Sequence, residues 1–226
     1  MKIHTLHSWD LTPTEAVALQ RQLAGQIDTR TPLCKCELIA GADVSYSRFS
    51  KILYAGVVVL RMADLSVVEK RGVVCETSFP YIPGLLSFRE TPALLEAFAK
   101  VQTEPDAVIL DGHGYSHPRR FGFTCHIGLW LDRPCLGCAK SRLVGKYKEP
   151  GWKAGSVSPL VDHDEIIGQV VRTKNGVQPV FVSVGHKIDL RSAVELVLAT
   201  CRGYRIPEPT RQAHLFVNSL RREAAC

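Results

Sequence analysis

No stretch of this 226-residue sequence carries an apolar run long enough to cross a bilayer. The opening Met1-Lys-Ile-His-Thr-Leu-His7 lacks the apolar core that an export signal needs. Internal repeats and low-complexity tracts are also missing. These absences exclude a membrane-spanning helix and a repeat array, and they set the expectation of a cytoplasmic protein. Without an export signal, the eight cysteines read as reduced thiols rather than a disulfide framework. Two pairs, Cys34-Lys-Cys36 and Cys135-Leu-Gly-Cys138, have spacings that metal sites use. No second pair at zinc-ribbon spacing accompanies Cys135 and Cys138, and strand residues three apart face opposite sides of a sheet. A structural zinc is therefore not expected.

What is present is ordinary for a globular chain: 46% apolar and 22% charged residues, enough length for one domain over 1–226 with a substantial core. The formal charge of +6 suits a polyanionic partner without proving one. Thr12-Pro13-Thr14-Glu15 predicts a helix start with a capping box, and Ala16, Leu19, Leu23 and Ile27 form its apolar face. Strands are predicted at Leu38–Tyr46, Leu53–Met62 and Val67–Cys75, joined through Ser47–Lys51 and Ala63–Ser66 as an antiparallel meander. A helix is expected from Ser87 to Val101 with Glu90 in its first turn. A short apolar strand then ends at Asp111, and a helix follows around Cys125–Leu131. Cys135–Lys140 reads as another strand, and Tyr147–Asp164 as loop. Ile166–Arg172 and Val180–Val184 flank the hairpin signal Asn175-Gly176. Helices over Asp189–Cys201 and Glu208–Glu223 close the chain. This order predicts an α/β fold of ribonuclease H-like type, a mixed sheet of three antiparallel then parallel strands flanked by helices.

Three carboxylates hold special places in that order. Asp43 interrupts the first strand between Ala42 and Val44, Glu90 opens a helix, and Asp111 ends the fourth strand. Adjacent first and fourth strands would bring Asp43 beside Asp111, with Glu90 approaching from its helix. Carboxylates so placed repel one another, and a divalent cation relieves the repulsion. Hard oxygen donors suit Mg²⁺, with Mn²⁺ as a substitute. Taken singly, each acid has a bland reading; Glu90 could simply complement a helix dipole. Gly112 and Gly114 bracket His113 and are expected to supply positive φ and close approach to a ligand. Arg119 and Arg120 are candidate partners for Asp111. Asp162-His163-Asp164 reads as a solvated turn rather than a ligand cluster.

Several of these stretches resemble the endonuclease V family. They are Gly41-Ala-Asp-Val-Ser45, Pro80-Tyr-Ile-Pro-Gly-Leu-Leu-Ser-Phe-Arg-Glu90, Asp111-Gly-His-Gly-Tyr-Ser-His-Pro-Arg-Arg120, Gly137-Cys-Ala-Lys-Ser-Arg142, Val184-Gly-His186 and Arg205-Ile-Pro-Glu-Pro-Thr-Arg-Gln-Ala-His214. The resemblance implies a repair endonuclease that cuts the second phosphodiester bond 3′ to deoxyinosine in DNA. It implies Asp43, Glu90 and Asp111 as metal-binding catalytic acids, Lys140 at the scissile phosphate and His214 in support of the metal site. Pro80, Tyr81, Ile82 and Pro83 become a stiff wedge that parts a base step, although a buried aromatic turn is the bland reading of the same residues. Gly84, Leu86, Gly112 and Gly122 match the family's base pocket. His117, Arg119 and Arg120 are expected to meet phosphates; His113 reads as a loop hydrogen-bonder with no part in the chemistry, and His186, at a strand end, as structural or DNA-facing. The alternatives are an inosine-specific ribonuclease, a non-catalytic lesion-binding module, and a zinc hydrolase built on His113, His117 and Asp111. The substrate partner is thus inosine-containing DNA, with inosine RNA as its rival, and the expected oligomeric state is a monomer.

Overall fold

The computed structural model describes residues 1–47 and 50–224. Its centre is one eight-stranded sheet in the order β3-β2-β1-β4-β5-β8-β7-β6. The strands are β1 (Leu38–Ser45), β2 (Ile52–Arg61), β3 (Val67–Glu76), β4 (Ala107–Leu110), β5 (Cys135–Ala139), β6 (Val157–Asp162), β7 (Glu165–Val171) and β8 (Val180–His186). Among the described residues there are five helices, α1 (Pro13–Ala24), α2 (Leu86–Ala99), α3 (Phe123–Leu131), α4 (Leu190–Ala199) and α5 (Glu208–Glu223). The first three strands pair antiparallel, and β1–β4 and β4–β5 are parallel. That is the ribonuclease H-like arrangement expected above. Of the expected connection Ser47–Lys51, Arg48 and Phe49 lie outside the described residues.

The sheet separates two cores. On one face Ala40, Ala42, Val108 and Leu110 pack with Leu94 and Phe98 of α2 and Ile127 of α3. On the other, Ile39, Ala107 and Ile109 pack with Val197 of α4 and Ala213 of α5. All four residues of β4 are inaccessible, as a central strand covered on both sides requires. Cys135 belongs to the first core and Cys138 to the second, so their thiols face opposite sides of the sheet and cannot chelate together.

The N-terminal helix begins as predicted: Thr12 accepts from the Glu15 amide, and Glu15 accepts from the Thr12 amide. The stretch expected to be loop from Tyr147 to Asp164 instead contains β6. Its buried and exposed residues alternate, and it lies at the sheet edge, where Pro159 forfeits no ladder bond that a neighbour needs. His163 and Asp164, both with positive φ, make a two-residue turn into β7. Glu90 lies beyond the first turn of α2, which begins at Leu86, so a helix-dipole role does not account for it.

One backbone contact positions the far helix. A Cβ on Gly41 would stand 2.0 Å from the Pro209 carbonyl oxygen, so only glycine lets the start of α5 rest directly on β1. Five residues later along α5, His214 reaches Asp43.

Candidate active site

β1 and β4 run parallel with Ala42 opposite Leu110, so the next residues, Asp43 still inside β1 and Asp111 just past β4, fall side by side at the same end of the sheet. Glu90 is buried on α2 beside them. Burial pushes the Asp43 carboxyl above its usual range; the His214 hydrogen bond pulls it back and the Asp111 charge adds repulsion. Burial also pushes Glu90 up to about 8, against a lowering contact from the Tyr46 hydroxyl, with the charges of Asp43 and Asp111 adding to the rise. The three acids therefore sense one another, as the strand order required.

Two basic groups meet this cluster. Lys140, just past the end of β5, donates from its ammonium to Asp111 Oδ2. His214 Nδ1 lies 2.9 Å from Asp43 Oδ2. Ser45 Oγ donates to Asn218 Oδ1 at 2.9 Å, and Asn218 Nδ2 donates to His214 Nε2 at 3.1 Å. That chain makes Nε2 the acceptor and leaves the proton on Nδ1, facing Asp43. Tyr46, Ser45 and Asn218 are site residues that sequence reasoning missed. Asn218 had a signal: it lies one helical turn past His214 on the same face.

The donor set fits a hard divalent cation, three carboxylates with two of them raised by burial and mutual repulsion. Among the described residues, no three His, Cys, Asp or Glu side chains stand close enough together to hold an ion as arranged. Lys140 pairs with Asp111, and His214 with Asp43. Asp111, Arg119 and Arg120 do not pair as expected. Arg119 Nε donates to Gln20 Oε1 at 2.6 Å, and its Nη2 donates to the Gly84 carbonyl at 2.8 Å. Arg120 is bound by Glu165 at 2.7 Å and Asp162 at 2.9 Å, so its guanidinium is committed within the protein rather than turned to phosphate. Asp162 is thus an ion-pair partner within the predicted turn.

Beside the carboxylates lies a cavity of about 170 Å³ lined by Tyr81, Ile82, Pro83, Gly84, Leu86, Gly112, His117 and Gly122, among others. The four expected pocket residues and three of the four wedge residues thus meet in one place. Tyr81 is 63% exposed, which overturns the buried-turn reading, while half-buried Ile82 anchors the segment on Phe79, Leu85 and Phe88. Pro80 is exposed at the start of the segment. Gly84 takes φ +80°; Gly112 and Gly114 do not take positive φ and act through close approach instead. A Cβ at Gly114 would stand 2.1 Å from the Val184 carbonyl, and one at Gly122 would stand 2.3 Å from that of His113.

Gln20 is the other missed residue. Its buried amide donates to the carbonyls of Gly84 (3.1 Å) and Phe121 (3.0 Å), tying opposite walls of the cavity. A polar residue on the apolar helical face of Ala16 and Leu23 was the available signal. His117 is buried with Nε2 3.1 Å from the Gly84 carbonyl, and burial, then Arg119, lower its pKa to about 4. His113 turns to Ser116 at 2.9 Å. The two histidines and Asp111 therefore form no zinc site. His186 is structural, accepting the Asp28 amide at 3.1 Å.

A family model described as Endonuclease V matches residues 21–215. An Endonuclease V of Dehalococcoides mccartyi is 51% identical over 215 residues, covering 95% of this chain and 96% of the relative. The crystal structure of Endonuclease V from Streptomyces avermitilis is 38% identical with a TM-score of 0.92, covering 100% of both chains. That of Ciona intestinalis Endonuclease V, in complex with a 24mer DNA containing an inosine followed by a ribo-adenosine, is 27% identical with a TM-score of 0.83, covering 93% of this chain and 98% of that one.

Proposed function

The chain belongs to the Endonuclease V family, and on that footing we propose that it is a metal-dependent repair endonuclease acting at deoxyinosine in DNA. The proposed cut is at the second phosphodiester bond 3′ to the lesion, leaving 3′-hydroxyl and 5′-phosphate ends. The observation that carries this reading is the meeting of Asp43, Glu90 and Asp111 at one sheet end, beside a partly open cavity lined by Gly84, Gly112 and Gly122. Asp111 is followed at once by Gly112, which lines that cavity, so a base held there leaves its backbone near the carboxylates.

Asp43, Glu90 and Asp111 would hold Mg²⁺ or Mn²⁺, which would contribute Lewis acidity at the scissile phosphate. The ammonium of Lys140, already at Asp111, offsets charge that develops on the phosphate oxygens as water adds. His214 keeps Asp43 oriented through a proton fixed on Nδ1 by the Asn218 contact. Water oxygen bonds to phosphorus while the P–O3′ bond breaks, and the departing 3′ oxygen takes up a proton. Tyr81, exposed at the mouth of the cavity, fills the space that the extruded base vacates in the stack.

Asp111→Asn tests the reading. Nicking of inosine DNA should disappear, while binding in Ca²⁺ is largely kept, because the lost group stabilises the transition state rather than the base. Nicking near the wild-type rate in Mg²⁺ would remove Asp111 from the reaction. The Ciona relative's ligand carries a ribonucleotide after the inosine, which keeps inosine RNA as the rival substrate. Competition between matched DNA and RNA strands separates the two.

A further inference from the structure

The segment Lys140–Leu143 divides two depressions. Leu143 lines the cavity assigned above to the base, whereas Lys140, Ser141 and Arg142 line an open groove of about 700 Å³ on the other side. The far walls of this groove are Tyr147, Pro179 and Arg205, among others. Its charges can be paired off one by one. Lys140 is matched by Asp111, and Glu149 is matched by Arg172, a buried arginine whose Nη2 reaches it at 2.7 Å. Arg142 and Arg205 have no carboxylate within ion-pair reach among the described residues, so the groove presents two uncancelled positive charges.

Both arginines are held in place before any ligand arrives. Arg142 Nη1 donates to the Gly145 carbonyl at 3.0 Å, and its guanidinium lies 5.9 Å from the Tyr147 ring centroid. That ring in turn packs edge-on against Phe181 at 5.4 Å. Arg205 Nη2 donates to the carbonyls of Lys140 and Pro179, the latter at 2.8 Å, so it ties the groove wall to the catalytic lysine's own backbone. Arg142, ordered and exposed with spare donors, suits phosphate, whose oxygens it can meet with little further loss of side-chain freedom, while half-buried Arg205 braces the wall.

We propose that this groove is a subsite for the cleaved strand beyond the scissile bond, with Arg142 contacting a phosphate on the 3′ side. The assignment rests on the function proposed above: a base in the cavity and the scissile phosphate at Lys140 leave the groove as the exit for the strand's 3′ continuation. Arg142 acts here as a binding residue, not in the bond-breaking step.

The test is a length series of inosine-containing single strands, with about two or about ten nucleotides following the scissile bond, nicked by wild type and by Arg142→Gln. On the long strand, Arg142→Gln should raise KM roughly three- to tenfold, the scale of one solvent-screened hydrogen bond, with kcat unchanged. It should also flatten the dependence of KM on salt by about one phosphate's worth. On the trimmed strand, wild type should have the raised KM, and the substitution should add nothing. An equal effect of Arg142→Gln at both lengths, or none at either, overturns the subsite; the second outcome would leave the groove to an acidic protein segment. Failure of wild type to nick inosine strands of any length defeats the parent reading and the subsite with it.

Discussion

Tyr81→Ala separates a wedge from a structural aromatic, and the structure supplies the expected size of each effect. The side chain is 63% exposed, and the anchoring of its segment falls to Ile82, with Phe79, Leu85 and Phe88 beneath. Truncating an exposed ring away from the core should change stability by no more than about 0.5 kcal/mol. For a domain of this size that is a melting shift of about 2 °C or less. The functional effect should be larger. Replacing the stacking that an extruded base loses is worth about 1–3 kcal/mol, by analogy with a base stacked on an aromatic side chain. On duplex DNA with one deoxyinosine, kcat/KM should therefore fall about 5- to 150-fold. Single-stranded substrate has little stacking to restore, so its loss should be several times smaller. Metal dependence should not change, because the phenol supplies no ligand. Single-turnover nicking on both substrates, run beside thermal denaturation, gives all the quantities needed. Equal losses on duplex and single strand with a clearly lowered melting point would refute the wedge and make Tyr81 a folding residue.

Two further outcomes follow from the cavity walls. Gln20→Leu strips the acceptor from Arg119 Nε and the donor from two carbonyls, so denaturant unfolding should show a loss of about 2–3 kcal/mol; an unchanged midpoint would mean that the amide does not tie the walls. His117 gives a pH signature. Unfolded, it takes a proton near 6.5, but in the folded protein only near 4, so acid favours unfolding across that window. Its contribution is complete above pH 6.5 and lost as pH falls through 4, about 3 kcal/mol over the range. His117→Asn should lack that part of the acid sensitivity, and parallel stability curves for the two proteins between pH 4 and 6.5 would contradict the assignment.

The central fold was legible because its signals are local. The Thr12–Glu15 box fixed one helix start, and an isolated carboxylate inside an apolar strand marked Asp43. Adjacent β1 and β4 then followed from element order alone. β6 was missed because its alternation is hidden in the residue types, with Val157 exposed and Ser158 buried, and because Pro159 reads as loop. The site's acids were legible for the same reason as the fold, since a charge in a strand interior has no packing use. Their partners were not. Arg120 sits next to the motif in sequence but is drawn away by Asp162 and Glu165, over forty residues further on. Asp111 is met by Lys140, on the neighbouring strand's end. Helical spacing could have marked Asn218 and Gln20 as polar residues on informative faces, but their distant partners Ser45, Gly84 and Phe121 are reached across elements, and no periodicity reports such pairings.

The most direct measurement is a nick-mapping assay on an end-labelled duplex carrying one deoxyinosine, in Mg²⁺ and again in EDTA. One product is expected in Mg²⁺, ending in a 3′-hydroxyl one nucleotide beyond the deoxyinosine, and none in EDTA or with Asp111→Asn. Cleavage that ignores the deoxyinosine, or that persists in EDTA or with Asp111→Asn, would contradict it.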